Sequence, residues 1–130
     1  STVHANDAAG VAERMQDLGI TRGTFQSTVR FVSAQRLVPR ICEACRYEDL
    51  EAAMLVSGSL GFVQRAFEAR GCEACRGAGV SGRQLLMGWL GRETDAETGR
   101  SELVPKDTLR AAARRAVEAG EIRGADAIGY

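Results

Sequence analysis

Four cysteines in two closely spaced pairs are the residues of this sequence best suited to chemistry. Cys42 and Cys45 form one C-x-x-C pair, and Cys72 and Cys75 form a second after 26 intervening residues. Two cysteines three positions apart on a tight loop can direct both thiolates at one ion, and a second such loop completes a tetrahedron. Because four thiolates leave no open coordination position, the spacing predicts a structural zinc site and not a catalytic one.

The two pairs belong to a short internal repeat. R-I-C-E-A-C-R (40–46) and R-G-C-E-A-C-R (70–76) differ at one position and begin 30 residues apart. Glycines at 77 and 79 supply the flexible backbone that a metal-binding turn needs. Arginines flank both pairs and can screen the net charge of about −2 that Zn²⁺ with four thiolates carries. We therefore expect two matching loops that meet at one ion.

Other uses of paired cysteines stay open at this stage. Residues 1–7 contain neither the basic segment nor the apolar segment of a signal peptide, so the expected compartment is the cytosol. Paired cysteines there hold a metal more often than a disulfide. Two disulfides, a redox-active C-x-x-C and an iron–sulfur cluster are the less favoured alternatives.

Composition excludes several functions. The 17 basic and 17 acidic residues of the 130-residue chain cancel, which argues against nucleic acid as a partner. Lys106 is the sole lysine and lies in no G-x-x-x-x-G-K-[ST] loop, so the chain has no P-loop for nucleotide phosphates. With His4 as the sole histidine and no G-x-S-x-G motif, a serine hydrolase is disfavoured as well. This chain on its own is therefore expected to be catalytically inactive.

The elements that must position these cysteines are read from apolar spacing and turn residues. The pattern predicts an α/β chain that is mainly helical, with a few short strands. Helices are predicted from a cap at Asn6 or Asp7 to Gly19, from Thr21 or Thr24 through Val32, around 50–55, around 60–67, and from Asp107 or Thr108 to Gly120. Strands are predicted at 35–41 and 84–90, followed by a polar loop at 91–100.

Three segments resemble one protein family. T-V-H-A-N-D-A-A-G-V-A-E-R-M (2–15) looks like the histidine box of the secretion and pilus-assembly ATPases, the hexameric motors of type II secretion and type IV pili. S-A-Q-R-L-V-P-R-I-C-E-A-C-R (33–46) resembles the passage from their ATPase core into a tetracysteine zinc subdomain, and G-C-E-A-C-R-G-A-G-V-S-G-R (71–83) resembles the return. The segments follow in the family's order at comparable spacing and cover most of residues 1–90; from Glu93 onward the similarity weakens.

The resemblance implies a fragment with three parts. Residues 1–40 would be the C-terminal part of a RecA-like ATPase core, 41–82 the zinc subdomain, and 83–130 a C-terminal strand and helical region. It also implies that His4 faces the nucleotide phosphates, with ATP and Mg²⁺ bound in the full-length motor only. The P-loop would lie upstream of Ser1.

The implied partners are those of the motor. They are neighbouring subunits of a homohexamer and inner-membrane platform proteins at the cytoplasmic face, with membrane contact only through those partners. Two alternatives differ in class. Residues 72–79 fit one C-x-x-C-x-G-x-G unit of the zinc region in J-domain co-chaperones, but the first cysteine pair lacks the glycines. A stand-alone zinc ribbon that binds a protein is the other.

Overall fold

The protein has a mixed α/β fold in a computed structural model that describes residues 8–129. The helices are α1 (Gly10–Asp17), α2 (Arg22–Thr28), α3 (Leu50–Leu60) and α4 (Leu109–Glu118). The strands are β1 (Phe31–Ile41), β2 (Arg46–Glu48), β3 (Phe67–Ala69), β4 (Val80–Thr94) and β5 (Ser101–Asp107), and short 3-10 helices form at Glu73–Cys75 and Gly124–Ala127. One sheet has the order β1-β4-β5, and β2 pairs with β3 in a second sheet.

Long strands correct one expectation from the sequence, that the chain is mainly helical with only short strands. β1 has 11 residues and β4 has 15, whereas the longest described helix, α3, has 11. The predicted strand ends at residue 90, where Gly91 begins a predicted polar loop, yet β4 continues through Gly91 to Thr94 and also passes through Gly88. A Cβ at Gly88 would lie 2.6 Å from the backbone nitrogen of Leu109, so this glycine permits close packing and does not end the strand.

The segment after α3 supplies a second correction. Apolar residues at 60, 63 and 67 predict a helix, but the chain leaves helical geometry at Gly61, whose φ is +81°. The backbone N–H of Val63 donates to Ser57 Oγ at 3.1 Å, and Phe67 then pairs with Glu48 across the small sheet. Apolar periodicity in so short a segment does not distinguish a helix from a buried turn followed by a strand.

The remaining predicted helices are present, with shifted ends. Thr21 caps α2 by accepting from the Thr24 N–H at 3.2 Å, and Val32, predicted on this helix, lies in β1. α4 ends before Gly120, whose φ of +68° suits a helix terminus. The predicted cap of α1 at Asn6 or Asp7 lies outside the described residues. No helix in the described part of the chain is long and apolar enough to span a bilayer.

The chain forms two compact units, each built from two segments. Among the described residues, the first comprises 8–35 and 87–109, and the second comprises 36–86 and 110–129. In the first unit, a core of Ala8, Phe25, Leu90 and Leu103 is covered by apolar side chains of α1. In the second, α3 buries Ala53, Val56 and Leu60 on its inner face and contacts the 3-10 helix at Gly124–Ala127.

Arg92 connects three elements of the first unit. Its guanidinium donates to the carbonyls of Val29 (3.0 and 3.2 Å) and Gln26 at the end of α2, and to the carbonyl (3.2 Å) and Oγ (3.1 Å) of Ser101 on β5. The last carbonyls of a helix have no partner within the helix, and a planar five-donor group can satisfy several of them at once. Arg92 therefore holds the end of α2 against β4 and β5.

Replacement of Arg92 tests this connection. We expect Arg92→Lys to lower the free energy of unfolding by about 1–3 kcal/mol, because an ammonium keeps the charge but not the fork of donors. Urea unfolding followed by circular dichroism measures the change. Arg100→Lys, at an exposed position in the same unit, is the matched control and should stay within about 0.5 kcal/mol of the parent. Equal stability of the two variants would contradict the assigned role.

Candidate metal centre

Two turns, each following a strand, carry the four cysteines. The first turn joins β1 to β2, and the Arg46 N–H donates to the Cys42 carbonyl at 3.0 Å. The second joins β3 to β4 through the 3-10 helix at Glu73–Cys75, and the Gly77 N–H donates to the Cys72 carbonyl at 2.9 Å. We call them knuckle 1 (residues 42–45) and knuckle 2 (residues 72–75).

Backbone hydrogen bonds bring the two knuckles together. The Cys42 N–H donates to the Gly79 carbonyl at 2.9 Å, and the Arg70 N–H donates to the Cys45 carbonyl at 3.4 Å. The β2–β3 ladder, in which Arg46 pairs with Ala69, continues the same contact. The long-range strand pairing therefore places cysteines 30 residues apart in sequence at one point.

The four sulfur atoms have the spacing of a tetrahedral metal site. All four Sγ atoms lie within 4.8 Å of one another. The Cys42–Cys72 and Cys45–Cys75 Sγ distances are 3.9 Å, and the Cys72–Cys75 distance is 3.7 Å. A tetrahedron with Zn–S bonds of about 2.3 Å has edges of about 3.8 Å. The donor set and its spacing therefore fit a zinc ion held by all four thiolates.

The thiols are not joined to one another in this structure. All four are free, and their Sγ distances are far longer than the roughly 2.05 Å of a disulfide bond. Cys42 and Cys75 are buried, whereas Cys45 and Cys72 are partly exposed. The arrangement is that of an assembled ligand set and not of two disulfides.

Backbone donors and burial shift the pKa values of two of the thiols in opposite directions. The Cys72 N–H donates to Cys75 Sγ at 3.2 Å and lowers the Cys75 pKa to about 6, with a second contribution from the Gly79 N–H at 3.3 Å. Burial, together with the neighbouring Cys42 and Cys72 thiols, raises the Cys45 pKa to about 12. The raised pKa favours the protonated form of the Cys45 thiol, and a divalent cation bound there would displace that proton.

The arginines around the knuckles have partners of their own. Arg40 pairs with Glu43 at 2.5 Å, and the Arg70 guanidinium lies 4.8 Å from the centre of the Tyr47 ring. Arg46 donates to the carbonyl of Gly120 at 2.6 Å, just beyond the end of α4. Arg46 thus connects knuckle 1 to a residue just beyond the end of α4. The two residues are 74 positions apart, and no pattern in the sequence predicts this hydrogen bond.

Of the site residues expected from the sequence, the structure brings the four cysteines together. His4 lies outside the described residues, so its role in facing nucleotide phosphates stays a prediction. The sequence predicted Gly71 only as the end of the helix expected around 60–67, and no role for it in the site. A Cβ at this position would lie 2.6 Å from the Gly77 carbonyl oxygen, so the backbone on both sides of knuckle 2 closes too tightly for any other residue.

Fold and site define a mixed α/β protein with a four-thiol centre built on two knuckles. The chain belongs to the type II/IV secretion system protein family, whose model matches residues 1–127. This membership confirms the resemblance found in the sequence.

Several members of this family have alignable segments. Type II secretion system protein E of Klebsiella pneumoniae is 39% identical over 49 residues, which are 38% of this chain and 10% of that protein. Type II secretion system protein E of Pseudomonas aeruginosa is 41% identical over 59 residues (42% and 12%). The type IV pilus assembly ATPase PilB of Myxococcus xanthus is 39% identical over 46 residues (35% and 8%). The matched region thus spans about a tenth of each relative's length.

Proposed function

We propose that this chain is the zinc-binding C-terminal portion of a motor ATPase that powers type II secretion or the assembly of type IV pili. The four Sγ atoms within 4.8 Å of one another are the observation that carries the zinc assignment. Two findings support the assignment to a motor ATPase. The chain belongs to the type II/IV secretion family, and it is similar to proteins named type II secretion system protein E and type IV pilus assembly ATPase.

Cys42, Cys45, Cys72 and Cys75 would hold the ion. Bound zinc would supply a cross-link between the knuckles and no catalysis, since the cysteines fill all four positions of a tetrahedral site. The Cys72 and Gly79 N–H groups orient the Cys75 sulfur, and the Cys42 N–H bond to Gly79 holds the knuckles at their mutual distance. Small modules commonly need such a metal to stabilise the fold.

The division of the chain is part of the same proposal. Residues 1–40 would end a RecA-like core, 41–82 would form the zinc subdomain, and 83–130 would form the C-terminal strand and helical region. The whole motor would be a homohexamer at the cytoplasmic face of the inner membrane, in contact with platform proteins. Its nucleotide site would bind ATP with Mg²⁺ and include His4.

Metal analysis and an ATPase assay test the proposal. We expect the chain, purified under reducing conditions, to hold about one zinc per molecule, since four thiolates fill one tetrahedral site. We also expect it to hydrolyse no ATP, because it has no P-loop. Negligible zinc would overturn the metal assignment. ATP turnover that His4→Ala abolishes would overturn the expectation that this portion is inactive alone.

A further inference from the structure

The four thiols differ in their access to solvent. Cys42 and Cys75 are only 3% and 7% exposed, whereas Cys45 and Cys72 are partly exposed. A small reagent dissolved in water is therefore expected to approach Cys45 and Cys72 more readily than the two buried cysteines. Reactivity of a thiolate towards oxidants depends on this access.

Cys72 is the partly exposed thiol with the better placed neighbours. Its Sγ lies 3.7 Å from Cys75 Sγ and 3.9 Å from Cys42 Sγ. Cys75 belongs to the same one-turn 3-10 segment, and its sulfur already accepts the Cys72 N–H. A bond between Cys72 and Cys75 requires rotation of two side chains in one turn, whereas a bond to Cys42 would draw two separate loops together.

We propose that Cys72 is a site of oxidation by a peroxide and that Cys75 converts the oxidised sulfur into a disulfide, which dismantles the metal centre. This inference rests on the proposed zinc site. The Cys72 thiolate attacks one peroxide oxygen, the O–O bond breaks, and Cys72 becomes a sulfenic acid while hydroxide leaves. The Cys75 thiolate then attacks the sulfenic sulfur, the S–O bond breaks, and a second hydroxide leaves.

The two steps balance as a two-electron oxidation. Two thiolates and one hydrogen peroxide give one disulfide and two hydroxide ions, which the buffer protonates to water. The pair of sulfurs is oxidised and the peroxide is reduced. Cys42 and Cys45 then remain as the only thiolates, and two ligands cannot complete a tetrahedral site. Reduction by a dithiol restores the ligand set.

The experiment follows zinc release and disulfide formation together. Total zinc of the chain is first measured after acid digestion, and the zinc-loaded chain is then treated with a small excess of hydrogen peroxide in the presence of a colorimetric zinc indicator. Remaining thiols are alkylated, and disulfides are mapped by mass spectrometry without reduction. We expect about one zinc released per disulfide formed. That disulfide should join Cys72 to Cys75, and dithiothreitol with added zinc should reverse the change.

The outcomes separate this inference from the proposed function. Release with a disulfide between any other pair, or full retention of zinc under excess peroxide, overturns the inference and leaves the zinc site standing. Absence of zinc before peroxide is added overturns both. Brief iodoacetamide labelling of the zinc-loaded chain is a second measurement that needs no variant. Cys72 should be alkylated several-fold faster than Cys42 and Cys75, and equal rates at all three would also overturn the inference.

Discussion

Replacement of Cys42 by serine is expected to eliminate zinc binding and to melt the second compact unit at a much lower temperature. A neutral hydroxyl is a poor substitute for a thiolate ligand, and the apparent binding free energy of structural zinc sites is about 10–16 kcal/mol near pH 7. Cys42 is 3% exposed and directly follows Ile41, which is 1% exposed. We expect zinc to fall below about 0.1 per chain and the melting temperature to drop by at least about 10 °C.

Ala44→Ser is the matched control for this variant. Ala44 lies between the two cysteines of knuckle 1 and is exposed, so its added hydroxyl changes neither the ligand set nor the core. Metal analysis and thermal unfolding with and without EDTA are the measurements. EDTA should lower the melting temperature of the parent and of Ala44→Ser, and it should leave Cys42→Ser unchanged. Stoichiometric zinc in Cys42→Ser would show that the centre does not depend on four thiolates.

Gly71→Ala is expected to produce the second largest effect, through the backbone of knuckle 2. Gly71 has a φ of +84°, and an added Cβ would lie 2.6 Å from the Gly77 carbonyl oxygen and 3.0 Å from its carbonyl carbon. Both contacts are with backbone, which cannot rotate away as a side chain would. The turn must open, and this displaces the neighbouring Cys72. We expect a destabilisation of about 2–4 kcal/mol, with weakened zinc retention against a chelator.

Gly77→Ala isolates the steric contact from the cost of the backbone conformation. Gly77 has a φ of +79°, close to that of Gly71, but a Cβ there meets no atom within 4 Å. Gly77→Ala should lower the free energy of unfolding only by the strain of a positive φ, about 1 kcal/mol. The zinc content of this variant should equal that of the parent. Urea unfolding and chelator competition compare the two variants. If they prove equally stable, the close approach between Gly71 and Gly77 is not a constraint on the knuckle.

Local features of the sequence predicted the parts of the fold that depend on local physics. The apolar spacing in α4 and the cap at Thr21 identify helices whose hydrogen bonds form within a few residues. The helix predicted around 60–67 was wrong, because residues 67–69 form β3, which exists only through its pairing with β2. The length of β4 was missed for a related reason, since residues 91–94 have the composition of a polar loop and are strand only through their pairing with β5.

The candidate site likewise has features that the sequence determined and features that only the tertiary structure decided. Cysteine identity and spacing by themselves determined a four-thiolate ligand set, because two C-x-x-C turns restrict the metals and geometries that can be bound. Only the tertiary structure decided which thiols are buried and which are accessible. It also decided that Arg46 ties knuckle 1 to the end of α4. Burial and long-range hydrogen bonds depend on segments far apart in the chain, so no local pattern encodes them.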